Sequence, residues 1–363
     1  MTIVEPFRLA ARGVGFAFLL ASVACSDGGS NDIQGPDPKD PDPPDDNPPA
    51  VVVRGIPAND DLASAGLPAT KQPYQQGLAD AQGSADHFDF DATSHWVKTA
   101  TLHGTRVDVA IENSAVLNGG PTRDAFADLM VAAFHQAWHV FGGFPYDRYA
   151  VRVRSAGEAG FSLSPVGLTI TDVDYRAPSL REFALHEMFH SWNGGVIKPA
   201  SDGDGNLFQW ETWLVEGATV YYSFRLLGLT GSETEFRNGM AGRWQQYTQR
   251  RGTNVDQSIA GLVGLIGDAE PNDPATDAYV RMLYARGALV AYMLDDDLTD
   301  DSHNLDQVLQ RLYASALNGT RWNRASLEAA LHEVTSSSYA GFLSTWLDTN
   351  QALQLTGSFT LLR

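Results

Sequence analysis

The sequence predicts an α+β fold, with a small mixed β-sheet region followed by a mainly α-helical bundle. Runs of alternating apolar and polar residues are confined to the stretch before Pro178, and beyond it apolar residues recur almost throughout at helical spacing. The chain has 363 residues, 43% hydrophobic and 10% aromatic, which is enough for one large domain or two modest ones with a real core.

The amino-terminal residues form no part of that core. Arg8 and Arg12 precede an apolar run from Gly13 to Ala24 that ends in small residues before Cys25. The run is too short to span a bilayer as a mature helix. Residues 1–24 read as a signal peptide of the bacterial lipoprotein type, with Cys25 as the acylated new terminus, although Ser22 stands where Leu is usual. The plainer alternative is an ordinary signal peptide with a free thiol near the cut. Ser26 resembles the residue that follows the cysteine in outer-membrane lipoproteins. The expectation is therefore an exported protein of the bacterial cell envelope, lipid-anchored at the outer membrane. Residues 25–50 follow as a tether, in which seven Asp and seven Pro leave Ile33 as the one apolar side chain after the cysteine and before Ala50.

The globular part begins near Val51. The run His95 to Glu112 alternates in two segments about His103 and Gly104, which predicts a β-hairpin. Pro121 to Gly142 predicts an amphipathic helix with Phe126, Leu129, Met130, Ala133, Phe134 and Trp138 on one face. Asp147 to Arg154 and Val166 to Val173 predict further strands. Helices are then expected over Leu180–Trp192, Phe208–Leu227, Ser232–Thr248, Ala278–Asp295, Leu305–Leu317, Ser326–Glu333 and Tyr339–Asn350.

Bulk properties exclude some functions. The formal charge is −19, from 44 acidic against 25 basic residues, so most of the surface would repel nucleic acid. A single cysteine excludes an internal disulfide framework and any thiolate zinc cluster. There is no phosphate-binding glycine loop and no GxSxG elbow. Asp202, Asp204 and Asn206 resemble part of a calcium loop, but Leu207 replaces the glycine and Trp213 the twelfth-position Glu, so the stretch reads as a solvated turn. Asp295, Asp296 and Asp297 read as a charged helix end.

The chemistry concentrates in SLREFALHEMFHSW, Ser179 to Trp192, where Ser179 and Glu182 form a capping box that starts the helix. His186 and His190 are four apart, which aims both imidazoles at one point, as a tetrahedral zinc with Zn–N of about 2.0–2.1 Å requires. Glu187 can reach a metal-bound water without being a ligand. His135 and His139 in HQAWH share the spacing, but Gln136 stands in the base's place and no carboxylate partner is evident, so that pair reads as structural or partly exposed. Glu216 lies in WETWLVEGATVYY inside an otherwise apolar stretch, where a carboxylate is costly to bury unless it meets a cation. Gly217 is expected to let the backbone approach the HEMFH helix closely. Glu211 is the rival ligand, nearer the helix start, and an exposed Glu216 at a helix edge is the bland alternative. Tyr284, in YARGALVAYMLDDDL, could donate to an oxyanion near the metal, although such a tyrosine is more ordinarily a packing residue.

These segments, HEMFHSWNGGVIKP, WETWLVEGATVYY and YARGALVAYMLD, resemble the glycyl aminopeptidase family of gluzincin zinc metallopeptidases. Its members share HExxHxWN with a following Pro, WxxEGxxxYY and YxKGALVAxxLD, in this order. The resemblance implies a thermolysin-like metallopeptidase domain over residues 146–355, preceded by a mixed region over 51–145. It also implies one zinc per chain held by His186, His190 and Glu216, with Glu187 as base, Tyr284 as oxyanion donor and a peptide as substrate. Gly194 to Lys198 depart from the basic residues usual after the WN pair, and GEAGFSLSP stands where relatives carry a GGLEH-like strand. There Glu158 is a candidate recogniser of a substrate amino terminus. The expected activity is metal-assisted peptide hydrolysis of the aminopeptidase kind. A zinc endopeptidase, or a non-catalytic surface lipoprotein using the fold as a binding module, are the alternatives.

Overall fold

In the computed structural model the described residues are 87–113, 120–155, 160–171, 178–200, 210–267, 274–300 and 303–362. Strands β1 (His95–Leu102) and β2 (Thr105–Glu112) pair antiparallel, with Leu102 opposite Thr105. The two connecting residues, His103 (φ 49°) and Gly104 (φ 74°), both take the left-handed conformation, as a twisted two-residue hairpin turn requires. Helix α1 (Gly120–Phe141) then crosses over, so that β3 (Arg148–Arg154) joins β2 in parallel. Strand β5 (Gly167–Thr171) continues in parallel beside β3, and β4 (Gly160–Ser164) closes the sheet antiparallel to β5, in the order β1-β2-β3-β5-β4.

Strand β4 was not expected: five residues containing Gly, two Ser and one Phe carry too little β signal, and pairing to β5 supplies the rest. The parallel β2–β3 pair bridges residues 145 and 146, so the segments on either side of that expected boundary share one sheet.

Helix α2 (Pro178–Phe189) begins one residue before Ser179, whose side chain lies outside what the structure describes. Glu182, the other half of the expected capping box, instead accepts from Arg243 at 2.9 Å. Proline is well suited to a helix's first turn, where its missing N–H has no intrahelical partner to lose.

The single helix expected over Phe208–Leu227 is a π-helical segment, Trp213–Ala218, running into α3 (Thr219–Thr230). Helix α4 (Glu233–Arg250) is capped by the Ser232 side chain. Helix α5 (Ile259–Gly267) was not expected, because its run IAGLVGLIG has three glycines and no polar face. Helix α6 (Pro274–Asp300) outruns its predicted ends, whereas α7 (Leu305–Leu317) matches them and carries an Asn304/Gln307 capping box. Helix α8 (Arg324–Thr335) and the short α9 (Ala340–Leu343), continued by a second π-helical segment (Ser344–Asp348), complete the bundle.

Helix α2 lies at the junction. It packs on β5, α1 and α3, and α6 lies along the first π-helical segment. Among the described residues no helix is long and apolar enough to cross a membrane.

Candidate metal centre

His186 lies in the last turn of α2 and His190 just beyond it, where the bond from the His190 N–H to the His186 carbonyl (3.2 Å) extends the helical pattern. The two rings meet edge to face, with their Nε2 atoms 3.0 Å apart. The π-helical segment brings Glu216 to the same point, its Oε2 lying 3.4 Å from His186 Nε2 and 3.3 Å from His190 Nε2. A π-turn carries one residue more than an α-turn, and such turns recur at functional sites. All three side chains are buried, Glu216 to 2% exposure.

These separations test the site. Three ligands about 2.0–2.1 Å from a tetrahedral ion lie about 3.3 Å from one another, which is the triangle these atoms form. Two imidazoles and one carboxylate are also a donor set suited to zinc. Glu187 supplies a second sign, being fully buried with both carboxylate oxygens lacking a hydrogen-bond partner among the described residues. Such an orphaned carboxylate is costly unless something enters the site to meet it.

The surroundings hold the donors in place. His190 Nδ1 lies 2.9 Å from the Asn193 carbonyl oxygen, which orients the ring with Nε2 toward the cluster. The Asn193 amide in turn donates to the carbonyls of Leu214 (2.8 Å) and Val215 (3.2 Å) and to Thr219 Oγ1 (3.0 Å). One asparagine therefore ties the exit of α2 to the segment that carries Glu216. Trp192 anchors the same exit by donating from its indole to the Gly143 carbonyl at 2.6 Å. Tyr284 donates to Glu216 Oε2 at 2.7 Å, and its ring stacks near His186.

Burial first, together with the nearby Glu216 carboxylate and against the opposing pull of His190, raises Glu187 to about 8. Glu216 is held well below the usual carboxylate range: burial opposes ionisation, but His190 and His186 outweigh it. Burial lowers His186 to about 4, leaving the neutral imidazole a metal requires.

The structure brings together His186, Glu187, His190, Glu216 and Tyr284, and it separates the two candidate acids. Glu216 reaches the imidazoles, whereas Glu211 is absent from the donor group and its carbonyl instead starts the turn at Leu214 and Val215. Gly217 does not face α2, as the sequence reading expected. A Cβ there would lie 2.5 Å from the Gly287 Cα, so this glycine admits α6, and with it Tyr284. Asp295 is not a solvated helix end: fully buried, it accepts from the Tyr221 hydroxyl (2.5 Å) and the Leu305 N–H (2.7 Å). Asn193 was missed, although the WN pair after HEMFH was its signal. Cys25, Glu158 and residues 202–206 lie outside the described residues.

The α+β fold is similar to that of the M1 metallopeptidases. An aminopeptidase N family protein from Idiomarina loihiensis superposes with a TM-score of 0.59 at 17% identity, over 72% of this chain and 48% of that one. Yeast LTA4 hydrolase in complex with bestatin superposes with a TM-score of 0.52 at 17% identity, over 72% of this chain and 41% of that one. At these identities the likeness is one of fold, and this chain spans about half the length of the first of these or less. The family resemblance read from the motifs is borne out more directly: residues 179–290, which hold all five site residues, match the M61 glycyl aminopeptidase family model. No curated protein sequence matches the chain.

Proposed function

We propose that the protein is a zinc-dependent peptidase, acting as an aminopeptidase, with His186, His190 and Glu216 as ligands. The observation that carries this is the buried triangle of donor atoms beside Glu187, whose carboxylate has no hydrogen-bond partner among the described residues. The M61 match over the same residues supports it.

Zinc in this site would lower the pKa of a bound water and polarise a carbonyl oxygen. Glu187 accepts the proton of the attacking water and returns it to the leaving amine. Tyr284, whose hydroxyl donates to Glu216 Oε2 at the cluster, would donate to the oxygen on which negative charge develops. Asn193 keeps the His190 ring in register through its carbonyl. Glu158 remains the candidate for binding a substrate amino terminus.

Zinc content and peptidase activity of wild type and Glu187→Gln test the reading. One zinc at this site in both, with cleavage of unblocked peptides lost only in the variant, is the expected result. Cleavage of amino-blocked peptides at internal bonds would make the enzyme an endopeptidase. Zinc without cleavage of any peptide in a broad library would leave a binding module, and no zinc would sink the ligand assignment. We further infer from the leader and Cys25 that the protein is exported and lipid-anchored in the cell envelope. Palmitate labelling that persists in Cys25→Ser would refute the anchor.

A further inference from the structure

The hairpin turn between β1 and β2 brings a third histidine to the HQAWH pair. His103 Nε2 lies 2.9 Å from His135 Nδ1, and His139 Nε2 lies 3.2 Å from His135 Nε2. Taking one nitrogen from each ring, the three donor atoms all lie within 4.8 Å of one another. His135 is buried and the other two are half-buried. Without an ion the three rings meet as a chain of N–H···N hydrogen bonds.

We propose that His103, His135 and His139 form a second divalent transition-metal site, of zinc type, separate from the centre on α2. Three imidazoles are a donor set that zinc accepts, and they leave a fourth position for water or another ligand. His135 and His139 are one helical turn apart on α1, so both rings project to the same side. Their 3.2 Å separation is close to the about 3.3 Å edge of a tetrahedral zinc site. His103 already offers a ring nitrogen within 4.8 Å of the other two.

The third ring is held in place independently of any ion. His103 stacks on Trp138 with centroids 3.8 Å apart and planes 10° from parallel, and its left-handed backbone turns it toward α1. Helix α1 is fixed at the same point, because the Gln310 side chain donates to the His139 carbonyl at 3.0 Å. Pre-positioned ligands lose little freedom on binding, which favours metal capture.

A metal here would clip the hairpin turn to α1, which also packs against α2. It would tie the sheet to the helix that supports the catalytic centre and stabilise the fold in proportion to zinc occupancy.

The test is zinc stoichiometry of the full chain after equilibrium dialysis against micromolar Zn2+, for wild type, His103→Asn, His139→Gln and the double variant His186→Gln/His190→Gln. Asparagine tolerates the left-handed backbone at 103, so the turn is retained. His103→Asn and His139→Gln are each expected to hold one zinc fewer per chain than wild type, with peptidase activity unchanged. The double variant is expected to keep one zinc, and after exchange to Cu2+ its electron paramagnetic resonance spectrum should show coupling to several imidazole nitrogens. Equal zinc in wild type, His103→Asn and His139→Gln would overturn the site. So would a double variant that binds no zinc, whatever becomes of the centre on α2.

Discussion

Glu187 is fully buried with no hydrogen-bond partner for its carboxylate among the described residues, so its replacement separates chemistry from folding. Glu187→Gln should bind zinc as wild type does while kcat falls by about 10²–10⁴, the usual contribution of a general base, as steady-state kinetics with metal analysis will show. Tyr284→Phe removes only the hydroxyl that donates to Glu216. Its kcat should fall by about 10²–10³ with KM little changed and zinc retained, and an unchanged kcat would reduce Tyr284 to a packing residue. His186, Glu187 and His190 were legible in the sequence because helical periodicity alone places an i, i+4 pair on one face. Glu216 was legible because an acid in an apolar run needs a cation, yet Glu211 could be set aside only once the backbone path was known. Asn193 escaped notice because its work is done through its carbonyl and through an amide that reaches residues more than twenty positions away.

The elements meet at a crossing of two glycines. A Cβ on Gly287 would lie 2.9 Å from the Gly217 Cα, and one on Gly217 only 2.5 Å from the Gly287 Cα, in both cases against backbone that cannot step aside. Gly287→Ala should therefore destabilise the fold by about 1–3 kcal/mol, and Gly217→Ala by more, measured as denaturant midpoints. Both should also lower activity, because the crossing holds Tyr284 over Glu216. A Gly287→Ala protein as stable as wild type would show that the helices can part without cost. Apolar residues at helical spacing made α2, α4 and α7 visible beforehand, whereas β4 and α5 were hidden by weak local propensity that their neighbours override. The π-helical turn has no signature in a single sequence, since one extra residue in a turn leaves the apolar run unbroken.

Across the chain as a unit, His87 reports how tightly the sheet is covered. It is buried against β5, with Nδ1 2.7 Å from Thr169 Oγ1, and burial first, then Arg152, lowers it to about 4. The unfolded chain binds its proton near the ordinary value of about 6.5, so the unfolded state holds more protons between these limits. Stability from this group is complete above about 6.5 and lost as pH falls toward 4, by about 3 kcal/mol. Denaturation at several pH values should show this slope in wild type and a shallower one in His87→Gln; equal slopes would place His87 in water. What could be known from composition and spacing alone was the α+β division and the zinc-type motif, because periodicity and local residue chemistry are written along the chain. Which acid joins the histidines, which helix Gly217 admits and that His103 meets His135 were settled in three dimensions. Each depends on contacts between segments far apart in sequence, and those follow from packing, in which every element's position is set by all the others.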